Sequence, residues 1–475
     1  MPALSRRRFL SASASVAAAS AASVGTTARA AQSAGEVDVA IIGAGAAGIA
    51  AARKLAGSRA RFALIEAAPR IGGRCLTETT TFGVPYDRGA HWIHMPDLNP
   101  VTPLATALGL DIYPAPPGQR VRIGRRNARA GEMEDYLTAS VRANRAIIDV
   151  GRGRADIPAA QALPRDLADW QRTIEFVLGP FGCGKDLAEV SAADFARSAE
   201  RDMDAFCRQG FGALIARLGA GLTVDLGNPV SRIDWSGRNV EIETTKGRLL
   251  ARAVIVTVST GVLAAERIRF IPELPKRQLD AIDRLRLGSY DHIALELPGN
   301  PLGLDRDDMV FEKSDSPRTA ALLANVSGTS LCVVEVAGKF GRELSARGDK
   351  DMVAFAIDWL AGLFGTDFKK SVKRTHATQW NSDPWALGAF SAAAPGGQWA
   401  RAALAEPLRD RIFFAGEATH ETLWGTAGGA WASGDRAADL VLRRLNFIVD
   451  APEPRRPVPV TPPSRRRTVP GSQQL

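Results

Sequence analysis

The chain has 475 residues, 45% hydrophobic and 23% charged, with a net charge of +9. That length is too great for one compact core and suits two or three domains. The charge sits at the ends: Arg6, Arg7, Arg8 and Arg29 face no acid in residues 1–30, five arginines face only Glu453 in 451–475, and the stretch between is near neutral. This argues against a nucleic-acid-binding core. No stretch approaches about 18 uninterrupted apolar residues, so an integral membrane protein is not expected.

Residues 1–30 read as a twin-arginine export signal. Ser5-Arg6-Arg7-Arg8-Phe9-Leu10 precedes a mildly apolar Ala/Ser/Val stretch and the small-x-small site Ala28-Arg29-Ala30. The twin-arginine machinery carries folded proteins, so the expected location is the periplasm or beyond. Residues 37–74 follow as strand, glycine turn, helix and strand. The apolar run Val37 to Ile42 meets Gly43-x-Gly45-x-x-Gly48, and the second run ends on Glu66. This order grips the ADP half of a dinucleotide. Gly43 makes the turn, Gly45 lets the backbone approach the pyrophosphate, and Gly48 lets helix pack on strand. The helix N-terminus offers N–H groups to phosphate. Glu66 is placed for the ribose hydroxyls, and an acid there argues against NADP.

Residues 133–205 are helix-patterned, and 210–225 hold a helix and then a strand. Residues 229–259 form a meander with turns at Ser236-Gly237 and Lys246-Gly247. Strands are expected at 292–297 and 330–337, a helix at 350–364, a strand at 411–415 and a small-residue helix from Gly428 to Leu445. The Pro/Arg-rich tail from 448 is expected to be disordered. Cys75, Cys183, Cys207 and Cys332 have no metal spacing and are read as free buried thiols, the alternative being a Cys183–Cys207 pair. The five histidines form no metal signature, and His94 and His420 are read as structural.

Several distant motifs together resemble the flavin-containing amine oxidases, the family of monoamine oxidases, polyamine oxidases and lysine-specific histone demethylases. The resemblance covers most of residues 37–445. It rests on Glu66-Ala-Ala-Pro-Arg70-x-Gly72-Gly73-Arg74, on Gly89-Ala90-His91-Trp92-Ile93-His94 with Asn99-Pro100, and on Gly210-Phe-Gly-Ala-Leu-Ile with Asn228-Pro-Val230. Val256-Thr-Val-Ser-Thr-Gly-Val-Leu263 and the segment Phe414-Ala-Gly416-Glu417-Ala-Thr complete it. The implied fold is α/β: a Rossmann-type FAD-binding domain (37–95, 206–290 and 386–447) with a mixed-sheet and helical substrate domain (96–205 and 291–385).

The resemblance implies FAD as cofactor. Gly43, Gly45, Ala47 and Gly48 would form the turn, and Glu66 would hold the ribose. Arg70, Gly73 and Arg74 would stand near the pyrophosphate, the Val230 backbone at the adenine, and Gly416 and Glu417 at the ribityl region. Gly89, Ala90 and His91 would flank the isoalloxazine, with Thr426 and Ala427 opening the helix that faces it. Ala389 stands where monoamine oxidases attach flavin through Cys, so binding should be non-covalent. Phe390 would face the flavin, and Trp424 would restore an aromatic surface beside Thr426. His91 would touch the substrate amine or else support its loop. His292 stands where the family carries the Lys that holds a water against flavin N5.

The implied activity is oxidation of an amine, of polyamine type, with dioxygen as acceptor. An amino-acid oxidase, an amine dehydrogenase using another acceptor, and a non-catalytic flavoprotein are the alternatives. The export signal and the lack of an inserted coiled-coil arm argue against histone demethylation.

Overall fold

A computed structural model describes residues 35–198 and 203–447. The export signal expected at 1–30 and the tail expected from 448 lie outside the described residues.

Two sheets organise the chain. The first has eight strands, in the order Val224–Asp225, Phe62–Ile65, Glu36–Ile42, Gly247–Val256, Val240–Thr244, Val230–Asp234, Arg269–Ile271, with Ile412–Phe414 also on Gly247–Val256. Glu36–Ile42 lies parallel to both neighbours, and the 230–256 meander is antiparallel. After Glu36 every residue of that strand is buried, as a central parallel strand requires. Ile41, Leu64 and Ile255 are at most 1% exposed, and burial of each such side chain contributes about 1.5–3 kcal/mol. Helices Ala46–Ala56 and Ala427–Arg444 cross against this sheet. Their small residues let the backbones meet: a Cβ on Gly434 would stand 2.0 Å from the Ala47 carbonyl oxygen.

The second sheet has seven strands, in the order Thr375–Ala377, Tyr290–Glu296, Leu331–Ala337, Ala321–Leu323, Met309–Glu312, Arg120–Ile123, Arg126–Asn127. Alternation assigns its faces. Ile293, Leu295, Val334 and Val336 pack under helix Asp349–Phe364. Ala294, Val333, Phe311 and Leu323 pack with Phe82, Tyr86 and Phe206 on the other face.

The helical pattern of 133–205 resolves into one long helix, Ala130–Gly151, and then short pieces: Gln171–Phe176, a π-turn at Val177–Phe181, and Ala192–Arg197. Pro158, Pro164 and Pro180 interrupt the rest. All four cysteines are free and buried, Cys183 and Cys207 among them. Among the described residues no helix is long and apolar enough to cross a membrane.

Candidate active site

A cavity of about 1410 Å³ runs from the first glycine turn into the space between the two sheets. That exceeds the ~300–1,000 Å³ typical of one small ligand and leaves room for a dinucleotide plus a second molecule.

At one end, Gly43 takes φ +101°. A Cβ on Gly48 would lie 1.9 Å from the Gly43 carbonyl oxygen, so only glycine fits the helix against its turn. Gly45 and Gly72 form a bridge, and the Cα of Gly73 faces that of Gly45. Arg70 donates to the Gly73 carbonyl at 2.8 Å and holds this second glycine loop in place. Glu66 is buried; its two oxygens accept from Ala44 N–H at 2.6 Å and Ala68 N–H at 2.8 Å. Burial raises its pKa against the pull of these bonds. Val230, Ala47 and Gly416 line the same end.

Glu417 ties the middle together. Its carboxylate accepts from Ser391 N–H at 3.1 Å, Ser391 Oγ at 2.7 Å, Gly425 N–H at 2.9 Å and Arg74 Nη1 at 3.1 Å. Arg74 also donates to the Ala389 carbonyl. Ser391 Oγ accepts in turn from Arg401, which holds Asp194 through two 2.7 Å bonds with both side chains 1% exposed. This network joins segments some 200 residues apart.

The far end carries the reactive side chains. His91 Nδ1 donates to Asp87 Oδ2 at 2.7 Å, and the ring packs 4.7 Å from that of Phe206. Its buried Nε2 has no hydrogen-bond partner. Asp87 is itself fixed: it accepts from Phe211 N–H and Gly212 N–H at the start of helix Phe211–Leu218, and from Thr77. Gly89 lies so close to Arg74 that a Cβ would stand 2.0 Å from the carbonyl oxygen. Trp92, Phe181, Tyr290, Phe311 and Phe390 form the aromatic wall, with Ala90, Ala389, Thr426 and Ala427 also lining the cavity.

Two expected roles need correction. The Thr426 hydroxyl accepts from Gly429 N–H and donates to the Leu423 carbonyl, so it caps its helix while the residue keeps its place in the cavity wall. Trp424 reaches the cavity only at its edge. It is 1% exposed, its indole N–H donates to the Asp194 carbonyl, and Arg401 lies 4.8 Å above its ring. Tyr290, which sequence reasoning missed, stands beside Phe390 instead, at 5.8 Å between rings.

Residues 159–442 match the family model described as flavin containing amine oxidoreductase. The chain belongs to this family. Residues 41–108 also match an NAD(P)-binding Rossmann-like domain. Lysine-specific histone demethylase 2 of Homo sapiens is 28% identical over 443 residues, covering 85% of this chain and 53% of that protein. The chain thus spans about half the length of that relative. Polyamine oxidase 4 of Oryza sativa subsp. japonica is 27% identical over 447 residues, covering 87% and 90%. The solved structure of cyclohexylamine oxidase from Brevibacterium oxydans IH-35A superposes with a TM-score of 0.73 at 22% identity, covering 87% and 100%. Putrescine oxidase bound to putrescine gives 0.69, also at 22%, covering 86% and 99%. These two likenesses are of fold, an α/β two-domain architecture.

The cofactor of this flavin amine oxidoreductase is FAD, and the cavity fits it. The glycine loops offer bare backbone where a Cβ would collide, Glu66 lies at the ribose end, and the helix capped by Thr426 points its N-terminus at the aromatic end. Ala389 supplies no nucleophile there. Cys75 also lines the cavity, but burial pushes its thiol up to about 12 and keeps it protonated.

His292 occupies the wall as expected, but with an altered charge. Burial lowers its pKa to about 4, so the ring is neutral at pH 7. Its Nδ1 donates to the Asp87 carbonyl at 3.1 Å, which leaves Nε2 as an acceptor. A lysine at this place would present donors only. Glu335, also missed by sequence reasoning, stands behind His292 with its Oε1 3.7 Å from Nε2. Burial pushes the Glu335 carboxyl up to about 7.

Proposed function

We propose that the protein oxidises an amine to an imine, with FAD as hydride acceptor and dioxygen as the final oxidant yielding peroxide. The observation that carries this is His91, which lines the aromatic end of the cavity with its ring fixed by Asp87 and its buried Nε2 left without a partner in the protein. When bound, FAD supplies the hydride acceptor. The chain's own residues do the rest. The aromatic wall attracts the incoming ammonium and excludes water. A small shift of the His91 ring presents its buried Nε2 to the amine nitrogen, and Asp87 keeps the tautomer that leaves Nε2 free to accept. Glu66, Arg74 and the two glycine loops hold the cofactor, and the Glu417 network fixes the loop carrying Phe390.

The substrate body this chamber suits best is apolar. Met133, Leu137, Ile148, Val177, Leu178 and Met309 line its outer part. Two acids of the lining are already engaged: Asp204 with His94 at 2.7 Å, and Asp307 with Tyr113 at 3.1 Å and Arg306 at 3.4 Å. A polyamine, the expectation from the sequence, is the second reading. It is favoured by those same acids in the lining and by the likeness to polyamine oxidase 4. The export signal read at 1–30 belongs to this proposal, and cell fractionation tests it.

Anaerobic mixing with a panel of amines, followed by flavin absorbance, tests the function. Apolar monoamines are expected to bleach the flavin faster than spermidine or spermine. Faster bleaching by the polyamines reverses the substrate order, and no bleaching by any amine overturns the reading.

A further inference from the structure

Amine oxidation and dioxygen reduction share a proton. An ammonium must lose an N–H proton before its carbon releases hydride. Peroxide needs two protons, and the hydride brings one. One proton is removed first and one is required last, so a group that holds it between the two half-reactions spares an exchange with solvent.

We propose that Glu335 holds this proton and that His292 is the group through which it enters and leaves. The proposal rests on the amine-oxidising reading above. Its geometry is that of a relay. His292 and Glu335 are direct partners across the antiparallel strands Tyr290–Glu296 and Leu331–Ala337, so both side chains lie on the same face of the sheet. His292 lines the cavity; Glu335 lies behind it, 2% exposed. The 3.7 Å between Nε2 and Oε1 is just beyond hydrogen-bond reach, a gap that a small rotation or one flanking water closes. Glu335 Oε2 is buried with no hydrogen-bond partner.

The surroundings leave the carboxyl without a fixed counter-ion. Tyr290 and His292 face it from one neighbouring strand and Ala321 from the other. Tyr290 and Trp92 hydrogen-bond to the carboxyl and, with the longer-range effect of His91, lower its pKa against burial; the turn Val177–Phe181 brings only apolar side chains. Among the described residues no lysine or arginine pairs with it. Burial accordingly raises Glu335 to about 7 and lowers His292 to about 4. The proton therefore resides on Glu335 and only passes over His292.

The steps balance. An N–H bond breaks at the ammonium, whose electron pair stays on nitrogen, and an N–H bond forms at His292 Nε2. The transfer is direct or through a water. That bond then breaks as O–H forms at Glu335. In the second half-reaction the sequence reverses. Dioxygen, having received the hydride's electron pair and proton, takes this proton as its second. Glu335 ends as it began.

Counting protons tests this. Holoenzyme is reduced anaerobically by an amine that bleaches its flavin, in weak buffer slightly above pH 7 with an indicator dye. Wild type is expected to release well under one proton per flavin reduced, because the negative charge that hydride brings to the cofactor disfavours a carboxylate beside it and tightens Glu335's hold on its proton, and Glu335→Gln a full one. Equal release by both overturns the proposal while amine oxidation stands; absence of bleaching overturns the amine reading instead. Infrared spectra of the oxidised holoenzyme decide independently of any substrate. A protonated-carboxyl band should disappear as pH rises through about 7 in wild type and be missing in Glu335→Gln. Glu335→Asp should keep a titrating band. A wild type with no such band overturns the proposal.

Discussion

Replacing Arg401 by Met is expected to destabilise the fold and loosen FAD together. Nε and Nη2 of Arg401 bind the two oxygens of Asp194, each at 2.7 Å, and Nη1 donates to Ser391 Oγ at 3.0 Å and the Ala418 carbonyl at 3.2 Å. Methionine keeps much of the stem but leaves the carboxylate of Asp194, 1% exposed, with the backbone N–H of Ala393 at 2.9 Å as its remaining donor. A buried charge that loses its partner costs up to about 3–5 kcal/mol, and here the buried Lys185 still attracts Asp194. The damage extends to the cavity, because Ser391 loses the group that orients its hydroxyl toward Glu417. The assay is urea denaturation of Arg401→Met and of the double variant Arg401→Met/Asp194→Asn, with free FAD followed by fluorescence. The double variant removes the orphaned charge and should recover at least ~1–2 kcal/mol of the loss. The reasoning fails if Arg401→Met costs less than about 1 kcal/mol, or if Asp194→Asn restores nothing.

Three further outcomes are expected. Gly89→Ala puts a Cβ 2.0 Å from the Arg74 carbonyl, so the purified protein should retain little FAD; a normal flavin content contradicts the cradle described for Gly89. His292→Ala should slow reoxidation of reduced flavin by dioxygen, measured by rapid mixing, whereas an unchanged rate removes His292 from that half-reaction. The third concerns pH. Glu335 titrates at about 7 in the fold against an ordinary 4.5. A raised carboxyl pKa stabilises the fold in the protonated form, fully below pH 4.5, and that stability is lost as pH rises through about 7. At about 1.36 kcal/mol per unit the loss is on the order of 3 kcal/mol. Glu335→Gln should lack this limb when denaturation midpoints are compared between about pH 5 and 8, and parallel curves would count against the buried acid.

The cofactor end of the cavity was legible in the sequence because its constraints are local. Positive φ at Gly43 and the 1.9 Å approach at Gly48 leave no other residue possible, and Glu66 ends a strand whose apolar run is unmistakable. The 230–256 meander and the helix ending near Leu445 were legible for the same reason: period and turn chemistry act over a few residues. The reactive end depends on register and long-range pairing, which a linear pattern does not carry. Asp194 meets Arg401 across 207 residues, and His292 meets Glu335 only because two strands align at that one position. Thr426 and Trp424 misled because their positions match a wall while their polar atoms are consumed by a cap and a carbonyl.

One signal was nevertheless present. Leu331–Ala337 reads Leu-Cys-Val-Val-Glu-Val-Ala, a fully buried strand with a single acid and no cation opposite. Burying a lone carboxyl costs several kcal/mol unless it is paired or protonated. Exchanging it for a hydrophobic residue would remove that cost, so an acid at this position points to chemistry rather than packing. A lysine in place of His292 would form an ion pair with Glu335 and fix it as a carboxylate. A neutral histidine leaves the acid free to keep or give up its proton.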